Sequence, residues 1–178
     1  MTKKKNCEGC KILEPESEPT GGVIELGPHW LVNQYGGSEG YLGWLALQPR
    51  EHCMELEELT EDAARDMGKA IKVIKSALKD YWGNNFKDDR FDRLYVTYFF
   101  DSVFDNNPTK YHLHIHLIPR TKKMRSLISP EGRINCWEIY KISKMAGFPE
   151  EYFRYEKRVE HLMDELRNSE GVRNFKSP

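Results

Sequence analysis

Three features of the sequence predict an α+β fold. Short segments rich in aromatic and branched residues alternate with turn residues. One long stretch repeats its apolar residues at helical spacing, and more helical stretches follow the last β segment. A length of 178 residues fits one domain with an extension and can bury a core without disulfides. The boundary is expected near residue 120, with 1–120 as the main domain and 121–178 as a helical extension packed on it.

Residues 14–22 hold two prolines, two glycines and three glutamates, the composition of a loop. Residues 23–26 and 29–33 are short β candidates around Gly27 and Pro28. Residues 34–40 contain three glycines and read as a turn or loop, and 41–47 as a buried strand that stops at Gln48 and Pro49. Thr60 is placed as an N-cap with Glu61 and Asp62 in the first turn. Ala63, Met67, Ala70, Ile74, Leu78 and Trp82 then recur at helical spacing up to Gly83. Residues 93–100 carry strand-forming Tyr, Val, Thr and Phe, 105–108 are turn residues, and 111–118 form another strand closed by Pro119. Beyond Arg120, residues 134–146 suit a helix, and Pro149 suits the first turn of a last helix running to about Arg167. Tyr152, Tyr155, Val159, Leu162, Met163 and Leu166 would form its apolar stripe.

Charged residues make up 31% of the chain and apolar residues 39%, so helix faces carry much Lys and Glu. The 27 basic and 28 acidic residues nearly cancel, which argues against a nucleic-acid groove or an anionic membrane partner. A small anion must be held by local donors. No run approaches the ~20 apolar residues that span a bilayer. The basic start is not followed by an apolar segment, so a signal peptide is not expected and a cytoplasmic location is. There, the four cysteines are expected to remain reduced. Cys7 and Cys10 have the spacing of a metal or redox pair. Cys53 and Cys136 stand alone and read as small buried residues.

His112, His114 and His116 alternate with Leu113, Ile115 and Leu117. On a strand this puts three imidazoles on one face and three aliphatic chains on the other. One histidine on a strand is ordinarily structural, but three polar rings in a row all need partners. A single metal ion does not provide them. Strand rise places neighbouring histidines ~6.6 Å apart and the outer two ~13 Å apart. An imidazole reaches ~4.5 Å from its Cα and the metal–nitrogen bond adds ~2 Å. One ion therefore takes at most one or two of the three.

The run from His112 to Ile118 follows the pattern His-φ-His-φ-His-φ-φ, with φ apolar, and resembles the histidine triad (HIT) family. Leu31-Val32-Asn33 with its glycine-containing loop, and Gln48-Pro49-Arg50-Glu51-His52 before the helix, agree with it. Cys7-Glu8-Gly9-Cys10 resembles the start of the zinc-binding members. The resemblance covers roughly residues 7–120. It implies an antiparallel sheet of about five strands with one long helix, paired as a homodimer. It also implies a nucleotide-binding hydrolase acting on an adenine or guanine nucleotide. Dinucleoside polyphosphates and nucleoside phosphoramidates are the family's substrates, and a covalent nucleotidyl-histidine is its intermediate. The middle histidine, His114 here, would be the nucleophile. Neutral imidazole suits that role near pH 7. Its second nitrogen is expected to hold the proton against a backbone carbonyl. His116 would bond the phosphate or leaving group, or stabilise charge as imidazolium. Asn33 matches a position on the ribose and phosphate side, though a plain turn asparagine is the simpler reading.

Many members carry Gly-Gln-(Ser/Thr) before the triad. Here the segment is Asn107-Pro108-Thr109-Lys110, in which Asn107 or Thr109 would serve the phosphate. Ile118 stands where transferase branches place glutamine, which favours hydrolysis. In the zinc-containing branch the Cys-x-x-Cys pair is joined by a histidine before the helix and by the first triad histidine. Those positions are His52 and His112, a Cys2His2 structural zinc set that would pin the N-terminus to the triad strand. Two other readings compete. One is a nucleotide-binding or interaction module of the same fold with weak catalysis; the other is an unrelated zinc hydrolase. His29, His161, Trp44, Trp82, Trp137 and the basic residues Lys122, Lys123 and Arg125 are given ordinary packing or solvent roles.

Overall fold

The structure is a computed structural model. It describes residues 7–12, 14–35, 41–99, 111–123 and 156–175. The expected helix over 134–146, the start of the last helix at 149, and Asn107, Thr109, Cys136 and Trp137 lie outside the described residues.

Five antiparallel strands form one sheet in the order β1-β2-β3-β5-β4. They are β1 (Ile24–Leu26), β2 (Trp30–Gln34), β3 (Leu45–Pro49), β4 (Phe91–Thr97) and β5 (Ile115–Thr121). A four-residue helix α1 (Glu8–Lys11) precedes them, and α2 (Glu61–Asn85) joins β3 to β4. Helices α3 (Glu156–Asn168) and α4 (Glu170–Phe175) close the described chain. Among the described residues, no helix is long and apolar enough to cross a membrane.

The Thr60 side chain accepts from the Ala63 amide and so caps α2, as the sequence predicts. The helix passes Gly83 and ends at Asn85. Its apolar stripe of Ala70, Ile74, Leu78 and Trp82 shares one buried cluster with Val32, Leu45, Leu47, Ile115 and Leu117 of the sheet. Leu162, Met163, Leu166, Val172 and Phe175 of α3 and α4 belong to the same cluster.

Two expected strands are displaced. Residues 41–44 form a tight turn instead of the start of β3. The Trp44 amide donates to the Tyr41 carbonyl at 3.0 Å and Gly43 has φ +81°. Positive φ at the third position marks a type II turn, which glycine adopts without strain. The strand then continues through Pro49. The histidine strand also starts later than expected, at Ile115. His112 and His114 precede it, in a segment whose Leu113 amide donates to the Cys53 carbonyl at 2.9 Å.

Because that face of the sheet is covered by α2, chemistry must sit on the other. Directly paired residues point to the same side of a sheet. The register pairs Asn33 with Ala46, Ala46 with His116, and His116 with Thr97. These four form one row on the face opposite Leu45, Leu47, Ile115 and Leu117.

Candidate functional site

The N-terminal segment builds the first part of the site. One short helical turn, with Cys7 as its N-cap, turns both thiols toward His112 and His52. Cys7 Sγ lies 3.4 Å from His112 Nδ1. Cys10 Sγ lies 3.5 Å from the same nitrogen and 3.4 Å from His52 Nδ1. All four ligand atoms fall within 4.8 Å of one another. A zinc ion with ordinary Zn–S and Zn–N bonds would set a sulfur–nitrogen edge of about 3.6 Å, so these donors fit a tetrahedral site.

Two details support that fit. His112 Nε2–H donates to the Pro49 carbonyl at 2.9 Å, which leaves Nδ1 as the coordinating nitrogen. Gly9 lies directly over His112: a Cβ there would come within 2.5 Å of the His112 Cβ and Cγ. Gln48 Nε2 donates to the Gly9 carbonyl at 3.0 Å and holds the turn down. Burial pushes the Cys7 thiol up to about 11 and the His112 imidazolium down to about 4. Without a cation, Cys7 and His112 are thus neutral at neutral pH; a divalent ion would displace the thiol proton.

His114 and His116 form the second part. His114 is half-buried, and its Nδ1–H donates to the His112 carbonyl at 3.0 Å. That bond leaves Nε2 with its lone pair. The His116 ring centroid lies 4.7 Å away at an interplanar angle of 76°. His116 itself is buried, and its Nδ1 accepts from the Trp44 indole N–H at 2.9 Å. Tyr35 stacks on Trp44 at 5.3 Å and meets the edge of His116 at 4.6 Å; Phe99 is 5.0 Å from His116. Burial, with a smaller contribution from His114, lowers His116 to about 3. Of the two roles expected for His116, its apolar, aromatic surroundings favour the neutral hydrogen-bonding ring over the imidazolium.

Asn33 is buried at the far end of the row. Its Nδ2 donates to the Gln34 carbonyl at 2.9 Å, while its Oδ1 has no hydrogen-bond partner among the described residues. The Thr97 hydroxyl at the other end is in the same condition. With only Ala46 between Asn33 and His116, the row has a low centre flanked by polar atoms.

The remaining residues singled out in the sequence fall elsewhere. Cys53 is buried, and its thiol is pushed up to about 12, first by burial and then by Glu58 and Glu51. His29 Nε2 lies 3.9 Å from Asp66. His161 is exposed and pairs with Asn85 at 3.2 Å, Trp82 is in the core, and Lys122 and Lys123 are exposed. Sequence reading missed Trp44, Tyr35, Thr97 and Gly9 as members of the site. Trp44 sits in an apolar run and had no signal beyond core packing. Gly9, between two cysteines, was the one legible clue.

No family model matches the chain, and no curated protein matches it. Solved structures do. A hypothetical histidine triad nucleotide-binding protein from Sulfolobus tokodaii superposes with a TM-score of 0.56 at 20% identity, covering 94% of this chain and 93% of that one. A Hit-like protein involved in cell-cycle regulation, from Bartonella henselae, gives 0.54 at 17% identity over 93% and 98%. A Zn-bound histidine triad family protein from Mycobacterium smegmatis gives 0.51 at 15% identity over 94% of each chain. The chain therefore has the histidine triad fold, and the likeness extends beyond residue 120.

Proposed function

We propose that this chain, built on the histidine triad fold, is a nucleotide-binding hydrolase that works through a covalent nucleotidyl-His114 intermediate. One observation carries the reading: His114 has its proton held on Nδ1 by the His112 carbonyl, which leaves Nε2 with its lone pair on a ring next to His116. Fixing the tautomer in this way prepares the ring as a nucleophile. In the first step Nε2 attacks the α-phosphorus. A P–N bond forms, the bond from phosphorus to the leaving group breaks, and the leaving group departs with the electron pair. Water then attacks the same phosphorus, the P–N pair returns to Nε2, and the water proton is lost to solvent. In this reading Asn33 Oδ1 would accept from the ribose, and His116 Nε2–H would donate to the phosphoryl group. Asn107 and Thr109 would add phosphate donors.

Zinc would be held by Cys7, Cys10, His52 and His112, and would supply a structural crosslink. Four protein donors close a tetrahedron and leave no position for a reacting water. The crosslink would tie α1 and the loop before α2 to the residue whose carbonyl holds His114. A cytoplasmic homodimer with residues 121–178 as its helical extension completes the proposal.

Incubation with an adenylyl substrate labelled at the α-phosphate tests this reading. The expected result is an acid-labile label on the protein that disappears in His114→Ala, with kcat lower by at least about 1,000-fold. Tight nucleotide binding without label or turnover would instead identify a binding module. Turnover abolished by chelation, with no covalent label, would identify a zinc hydrolase.

A further inference from the structure

We propose that Trp44 is a positioning residue that locks His116 as a neutral Nε2–H donor, and that this lock suits the site to leaving groups departing as anions, phosphoanhydrides over phosphoramidates of amines. The inference rests on the hydrolase reading above and adds the class of leaving group.

An indole N–H is a donor only. The nitrogen it meets at 2.9 Å, His116 Nδ1, must therefore present a lone pair. A proton there would set two donors against each other. In a neutral ring the single proton then resides on Nε2, and a cationic His116 requires the Trp44 bond to break.

Trp44 is held firmly enough to impose this. The Gln34 side-chain amide donates to the carbonyls of Tyr41 and Trp44, both at 2.9 Å, and its oxygen accepts from the Gly43 amide at 3.0 Å. The Tyr35 amide donates to the Trp44 carbonyl at 2.8 Å, and the Tyr35 ring stacks on the indole. The turn at Gly43 admits no side chain without strain: its φ is positive and a Cβ would meet Trp82 at 2.9 Å. Around His116, Tyr35 approaches from just after β2, Trp44 from the turn before β3, Thr97 from the end of β4, Phe99 from just beyond it, and His114 from its own segment. Of these described neighbours, Tyr35 and His114 carry ionisable groups, and none is a carboxylate. None of these described neighbours brings a negative charge to the ring, in line with the low value of about 3.

The chemical consequence follows from proton bookkeeping. A neutral imidazole can donate a hydrogen bond, but giving its proton away would create an imidazolate, which is prohibitive near neutral pH. His116 thus stabilises charge growing on oxygen and transfers no proton. A nucleoside polyphosphate leaves as a stable anion and needs only that bond. An alkylamine must gain a proton as its P–N bond breaks, and this site holds no acid at His116 to provide it.

Two measurements test the proposal. In the first, kcat/KM is compared for diadenosine triphosphate and for an N-alkyl phosphoramidate of AMP. The wild type is expected to favour the anhydride by at least about 100-fold, the usual worth of a missing general acid. In Trp44→Phe, which keeps a ring and removes the N–H, Nδ1 is free to take a proton. Anhydride turnover should fall about tenfold and the preference should narrow to below about tenfold. In the second, ring-nitrogen NMR of the wild-type protein reads His116 directly. Nδ1 should be unprotonated and Nε2 protonated, without titration from pH 5.5 to 8.5. A protonated Nδ1 or a midpoint inside that range would overturn the proposal, as would equal turnover of the two substrates. The wild-type spectra and substrate ratio decide the matter even if Trp44→Phe does not fold. Absence of label and of turnover with both substrates would remove the hydrolase reading, and the leaving-group preference with it, while the spectra still decide the tautomer.

Discussion

Gly9→Ala puts one methyl group where the structure has none to spare. The added Cβ would lie 2.5 Å from His112 Cβ and Cγ and 2.8 Å from Nδ1. Carbon atoms rest at about 3.5 Å or more, so the helical turn or the imidazole must retreat by about 1 Å. Zinc ligand distances tolerate about ±0.2 Å. A retreat of α1 moves Cys7 and Cys10 off the ion, and a retreat of His112 moves Nδ1. Overpacking of this size costs about 1–3 kcal/mol, which corresponds to about 5- to 150-fold in zinc affinity. Competition with a chromophoric chelator measures it. Glu8→Ala, at an exposed position of the same turn, is the control and should stay within about twofold. Gly9→Ala binding zinc as tightly as the control would refute the claim that Gly9 is the cradle for His112.

Two further outcomes follow from the same geometry. Removing zinc that was held at 100 times its dissociation constant should cost about 2.7 kcal/mol, or roughly 5–10 °C in Tm for a chain of this length. A calorimetric scan unchanged by chelator would dismiss the structural metal. Acid should act through His116, whose folded value of about 3 lies below its ordinary 6.5. Between those values the unfolded chain binds the extra proton, so stability is complete above about pH 6.5 and declines as pH falls. From pH 7 to 4.5, urea unfolding should show the wild type losing about 2–3 kcal/mol more than His116→Phe. Equal losses would mean that His116 is not buried neutral.

How much was legible in advance can be read from particular residues. Thr60 and the spacing from Ala63 to Trp82 identified α2, because a cap and a 3.6-residue period are local properties. Strand limits were harder. The apolar run 41–47 looks continuous, yet Gly43 turns it, and the Gln34 side chain on β2 holds that turn through Tyr41, Gly43 and Trp44. Likewise, the alternation from His112 to Leu117 identified one chemical face, but not that the ladder begins at Ile115.

By itself, then, the sequence determined the α+β class, the long helix and its cap, the alternating histidine segment, and a Cys-x-x-Cys turn near the start. Each depends on residues a few positions apart. Tertiary structure decided what those residues meet. It brought Cys10 and His112 together across a separation of 102 positions, and Trp44 and His116 across 72. It also decided the protonation of the rings. Which nitrogen of His114 or His116 carries the proton depends on a carbonyl and an indole fixed by distant parts of the chain, and no local pattern encodes where those partners point.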